Sequence, residues 1–136
     1  MKALVITEYE VSWDGKAARH LLTALDVDHV AMSLIPGRAD RAPVCTPARQ
    51  ALDASEKAAK VILSSLETHQ KRRYGLVLIS GKKTAEAFGV SADYFDTIAV
   101  AGIYTLMLIP HPYSAPWWDK PSNRKKARKA MRAVVS

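Results

Sequence analysis

The sequence predicts an α/β protein, a three-layer α/β/α sandwich in which helices cover both faces of a mostly parallel, four-stranded central sheet. Three observations predict it. Short apolar-rich runs recur along the chain, at residues 3–7 (ALVIT), 29–34 (HVAMSL), 76–80 (LVLIS) and 104–110 (YTLMLIP). Runs of this kind, without strict polar alternation, suit strands buried on both faces, as parallel sheets require. Segments with apolar residues at helical spacing separate the runs, and this βαβα rhythm calls for right-handed crossovers onto one sheet. Finally, 136 residues with 49% hydrophobic content suffice for one core but not for two ordinary domains. Residues 1–136 are therefore read as a single domain.

Residues 3–7 form the first strand, expected at the centre of the sheet. Ala18, Leu21, Leu22 and Leu25 then recur at helical spacing, with Arg19 and Thr23 on other faces, and predict a first helix over 15–25. The second strand, 29–34, is stopped by Ile35-Pro36-Gly37, because Pro lacks a backbone donor and Gly permits a turn. Residues 38–44 mix charge with Pro43 and read as a loop. Thr46 and Pro47 supply an N-cap and a first helical residue. Beyond them Ala48, Ala51, Leu52, Ser55, Ala58, Ala59, Ile62, Leu63 and Leu66 make one helical stripe. The run HQKRR at 69–73 reads as its solvated end, where the backbone dipole favours cations.

The third strand, 76–80, runs directly into Gly81 and a short helix, 82–88, that closes on Gly89. Gly81 thus stands at the carboxyl end of a strand, where open α/β sheets bind their ligands. Residues 91–96 fit a loop or short helix, 97–101 a brief strand, and 104–110 the fourth main strand. The C-terminal segment sets Ala127, Ala130, Met131 and Val134 on one face and Lys125, Arg128, Lys129 and Arg132 on the opposite one. A terminal amphipathic helix with a basic stripe follows.

A net charge of +7 and a sequence pI near 9.7 make the surface attractive to polyanions, because neutralising phosphates releases condensed counterions. Charge alone does not separate DNA from RNA, a membrane or an acidic protein. The apolar stretch before Thr7 and Glu8 is too short for a signal sequence or a membrane span. A cytoplasmic, non-membrane protein is expected. Cys45 is the only cysteine, so one chain can build neither a disulfide framework nor a cysteine-based zinc or iron–sulfur site. His20, His29, His69 and His111 lack ligand spacing. The expectation is a monomer that uses no metal and no cofactor.

Chemistry concentrates in residues 108–118, LIPHPYSAPWW. Pro110 and Pro112 flank His111, and their fixed φ values hold the imidazole rigidly at the rim of the sheet. Tyr113, Trp117 and Trp118 follow, and DKPSNR leads into the basic helix. Aromatic rings beside cations suit nucleic acid, since rings stack on or wedge between bases while Lys and Arg hold phosphates. Trp117 and Trp118 would alternatively staple the last helix onto the sheet.

The stretch IPHPYSAPWWDKPSNR resembles the third motif of the uracil-DNA glycosylase superfamily, in particular its small phage-type and bacterial members. Residues 76–90, LVLISGKKTAEAFGV, are similar to the strand-Gly-helix segment of that superfamily, and 14–22, DGKAARHLL, to its first helix. In order and spacing the resemblance covers most of the chain, though only the His-Pro loop is specific. It implies a uracil-DNA glycosylase-like fold and a cofactor-independent enzyme. Such an enzyme binds DNA, flips an aberrant pyrimidine such as uracil, and hydrolyses its N-glycosidic bond. His111 would hydrogen-bond the charge developing on the base carbonyl. Pro112, Tyr113, Ser114, Trp117 and Trp118 would lie against the duplex and help extrude the base, with Gly81 beside it. Arg124, Lys125, Arg128, Lys129 and Arg132 would contact phosphates.

Two departures stand out. Superfamily members usually carry a Gly-x-x-Pro loop after the first strand; here the same place reads TEYEVSWD at 7–14. Glu8 sits where several members carry Glu, Glu10 or Asp14 are alternative carboxylates, and Tyr9 or Trp13 could stack on a base. At the end of the second strand Ser33 stands where members often place Asn, and a hydroxyl lacks the paired donor and acceptor of an amide. A competing reading keeps the fold without the chemistry, as a DNA-binding module with a degenerate pocket. A third, a nucleotide-binding α/β domain, lacks any P-loop or GxGxxG signature.

Overall fold

A computed structural model describes residues 2–38, 48–68, 75–100 and 104–135. Its elements are β1 (Lys2–Glu10), α1 (Lys16–Leu25), β2 (Asp28–Arg38), α2 (Ala48–Thr68), β3 (Leu76–Ser80), α3 (Lys82–Ala87), β4 (Thr97–Val100), β5 (Tyr104–Ile109), α4 (Ala115–Trp118) and α5 (Pro121–Val135). Cys45, the Thr46-Pro47 cap, the loop over 39–44 and the basic run at 69–73 lie outside the described residues.

Among the described residues the sheet has five strands in the order β2-β1-β3-β5-β4, one more than expected. β2, β1, β3 and β5 are parallel neighbours. The brief stretch after residue 96 adds the fifth as an antiparallel edge, pairing Thr97 with Met107 and Val100 with Tyr104. The centre is β3 rather than β1, and all five β3 residues are buried. Composition alone cannot separate the two, because β1 is equally apolar from Ala3 to Ile6 and just as deeply covered.

Alternate residues of each inner strand feed two cores, as the period of 2 requires. Ala3, Val5, Leu76, Leu78, Met107 and Ile109 pack against α1, α4 and α5 through Leu21, Trp118, Ala127 and Met131. Leu4, Ile6, Val77, Ile79, Leu106 and Leu108 pack on the other side against Ala59 of α2 and Ala85 of α3. The three layers follow from this division. The stripe expected on α2 is realised where its side chains are described: Ser55 and Ala59 are buried, Ala58 and Ile62 pack against the second core, and Val61 faces out.

Both early strands outrun their apolar cores. β1 continues through Glu8, Tyr9 and Glu10, and β2 passes through Pro36. Pro36 does not stop β2 because that strand is the sheet edge, where one row of backbone groups needs no strand partner. The pairing jumps from Tyr9↔Ile35 to Glu10↔Arg38. A shift of this kind bends the strand locally and re-aims the side chains next to it.

Candidate functional site

Proceeding from β1, the chain crosses outward to β2 and then returns to lay β3 on the other side of β1. The parting of those crossovers leaves a crevice at the carboxyl ends of β1 and β3, the usual ligand position in an open α/β sheet. A cleft of ≈ 380 Å³ lies there. Glu8 and Tyr9 enter it from the end of β1, Ser80 and Gly81 from β3, Lys82, Lys83 and Thr84 from the start of α3, Tyr94 from the following loop, and His111 and Ser114 from the turn after β5.

His111 is fixed from several directions. Its Nδ1 accepts the backbone N–H of Tyr113 at 3.0 Å, and the two rings lean together with centroids 5.4 Å apart. Its carbonyl accepts the Ser114 N–H at 2.9 Å and the indole N–H of Trp118 at 3.1 Å. The ring also packs against Gly81, where an added Cβ would meet His111 Cβ and Cδ2 at 3.5 Å. A nitrogen that accepts a backbone N–H cannot hold a proton in the same direction, so the neutral ring carries its proton on Nε2. Burial pushes the imidazole below its ordinary pKa, because desolvation disfavours the cation. The outcome is a neutral ring that offers an N–H donor.

The two strand-tip segments meet physically. The Ser12 backbone N–H donates to the Tyr113 hydroxyl at 2.7 Å, across 101 positions of sequence. Among the carboxylates of the first segment, Glu8 lines the cleft and Glu10 and Asp14 do not. Glu10 is exposed at the end of β1, beyond the register shift. Trp13 folds back over the first core, its ring 5.6 Å from that of His29, and does not line the cleft. Ser33 pairs with Thr7 on the edge side of β1 and does not line the cleft either.

Several residues expected against DNA have other positions. Trp118 is 0% exposed and anchors the His111 carbonyl, so it is a core residue and not a wedge. Pro112 is buried as well. Trp117 is half-buried between Phe95 and Trp118, with ring centroids at 5.6 and 4.7 Å. Residues 115–118, expected as loop, form the helical turn α4, and Pro116 sits in its first turn, where a missing N–H costs nothing. Tyr113 is exposed. Arg124 donates to the carbonyls of Trp118 and Asp119, both at 3.0 Å, and so caps α4. Lys125, Arg128, Lys129 and Arg132 lie on the exposed face of α5, opposite buried Ala127 and Met131.

Lys82, Lys83, Thr84, Ser80 and Tyr94 join the site without having been expected from the sequence. Lys82 extends over the Tyr94 ring, its Nζ 5.1 Å from the centroid, and donates to the Ala92 carbonyl at 3.4 Å. The one sequence signal for the lysines and Thr84 is their place immediately after Gly81, at a strand's carboxyl end. Among the described residues no group of three or more His, Cys, Asp or Glu is placed to hold a metal ion, and no helix is long and apolar enough to cross a membrane. Neither a scan against protein-family models nor a search of curated proteins returns a match to this chain.

Proposed function

We propose that the protein is a DNA glycosylase-like enzyme that receives an extruded pyrimidine in the cleft and hydrolyses its N-glycosidic bond. One observation carries this reading: Glu8 and His111, from segments far apart in sequence, line the same crevice. The chemistry divides between them. The Nε2–H of His111 donates to the base carbonyl oxygen as negative charge grows there, and a pre-aimed neutral donor serves this purpose without a proton transfer. Glu8 accepts a proton from the attacking water, or stabilises the cationic sugar, on the opposite side of the breaking bond. Lys82 and Lys83, both exposed at the cleft, are suited to hold phosphates beside the flipped nucleotide. A volume of ≈ 380 Å³ falls in the range of small-molecule sites and accommodates one base with its sugar.

Base release from oligonucleotides bearing uracil, mismatched or modified pyrimidines tests the reading. Glu8→Gln should slow release roughly 10²–10⁴-fold and His111→Asn about 10²–10³-fold, with affinity for intact DNA retained. A wild type that binds these oligonucleotides but frees no base overturns it. That result favours the second reading, a DNA-binding module without hydrolysis. The continuation of β1 as strand through Glu10, where members of the superfamily that the His-Pro loop resembles carry a Gly-x-x-Pro loop, is the observation in its favour.

A further inference from the structure

We infer that Tyr113, expected from the sequence to touch DNA, is instead a positioning residue that holds the imidazole of His111 and couples it to the carboxylate-bearing end of β1. The inference rests on the proposed glycosylase reading for its catalytic meaning, but its geometry stands independently. Three contacts converge on this one residue. Its backbone N–H donates to His111 Nδ1 at 3.0 Å, its ring leans on the imidazole at 5.4 Å, and its hydroxyl accepts the Ser12 N–H at 2.7 Å.

The first contact selects the ring nitrogen that carries the proton. The second restrains the plane of the imidazole. The third closes a bridge from the turn after β5 to the segment that follows Glu8, Tyr9 and Glu10, so the cleft wall bearing His111 moves with the wall bearing Glu8. A phenol is suited to this work, because its rigid ring spans from the turn after β5 to the segment after β1 and ends in an oxygen able to accept. Half of the bridge is a main-chain donor. No side-chain substitution at Ser12 removes it, apart from proline, and the phenol oxygen is the part that mutation can delete.

Tyr113→Phe deletes the hydroxyl while keeping the ring, and it unties from Ser12 the turn that aims the Tyr113 N–H at Nδ1, so it separates the bridge from the ring contact and loosens the bond that selects the tautomer. Loss of one hydrogen bond corresponds to about a tenfold effect. The expected outcome is about a tenfold slower base release at unchanged affinity for intact duplex and single-stranded oligonucleotides. In parallel, the ¹⁵N resonances of His111, recorded on the protein without DNA, should report one Nε2–H tautomer in the wild type and a mixture of tautomers in Tyr113→Phe. Tyr113→Ala should enlarge both changes, with circular dichroism showing that it folds.

Wild-type rate together with a single tautomer in Tyr113→Phe overturns the inference. So does a Tyr113→Ala variant that loses DNA affinity while its His111 tautomer is unaltered, since that pattern defines a DNA contact. If the wild type itself releases no base, the glycosylase reading fails. The tautomer measurement then decides the positioning role by itself.

Discussion

At Gly81 the backbone has φ 87° and ψ 158°, a region essentially closed to any residue with a Cβ. The glycine is needed for its backbone, since an added Cβ would stand 3.5 Å from His111, an ordinary contact. Gly81→Ala should therefore destabilise the fold by about 1–3 kcal/mol through strain, measured by urea unfolding, and should also disturb the imidazole that rests on this turn. An unchanged midpoint would mean that the turn relaxes freely. Trp118 is a single residue whose role is ambiguous in sequence. An indole beside prolines and cations satisfies the composition of a nucleic-acid wedge and of a core anchor alike. Only its complete burial and its N–H bond to the His111 carbonyl decide between them.

Among the elements, α5 combines a legible pattern with an illegible direction. Its period of apolar and basic residues specified the buried face, and Ala127 and Met131 are indeed fully covered. Periodicity does not say how the stripe is oriented to the cleft. α5 follows β5 and α4 from the carboxyl edge and packs along α1. At 1.5 Å per residue, Arg132 is thus about 16 Å along the axis from Pro121. On the proposed function, the cations near the start of the helix are the ones expected to reach DNA. Reversing the charge of Lys125, Arg128 and Lys129 together should weaken DNA binding and flatten its salt dependence, by roughly one unit of slope for each phosphate interaction removed. Binding isotherms over a salt series would measure this, and an unaltered slope would remove α5 from the interface. In β2, likewise, Pro36 reads as a stop in sequence, but the strand tolerates it because the sheet ends there.

At the scale of the whole molecule, two histidines among the described residues link the packing to pH. Burial lowers the pKa of His111. His20 is lowered chiefly by desolvation, and then by Arg124 and Lys16, with Asp119 opposing; its Nε2 is buried without a hydrogen-bond partner among the described residues. Each group binds protons more weakly when folded than when unfolded, so stability rises with pH across the interval between its two pKa values. Stability should be complete above the unfolded imidazole value, fall as acid carries the pH down towards the lowered folded value, and fall no further from this source below it. His111→Asn should shrink that acid-side loss without abolishing it, because His20 remains. Thermal unfolding over a pH series would test this, and an identical slope in wild type and variant would contradict it.

The sequence by itself determined the α/β class, the parallel strands at residues 3–7, 29–34, 76–80 and 104–110, the helices between them, and the rigid presentation of His111 between two prolines. Those features are local: apolar runs, a helical period, and proline geometry are all written within a few neighbouring residues. Tertiary structure alone decided that β3 is the centre, that the brief strand at 97–100 joins the sheet as its antiparallel edge, that Glu8 rather than Glu10 enters the cleft, and that Lys82, Lys83 and Tyr94 border it. Each of these depends on which strand lies beside which and on where a register shifts. Such pairings bring together residues as distant as Ser12 and Tyr113, and no local pattern encodes them.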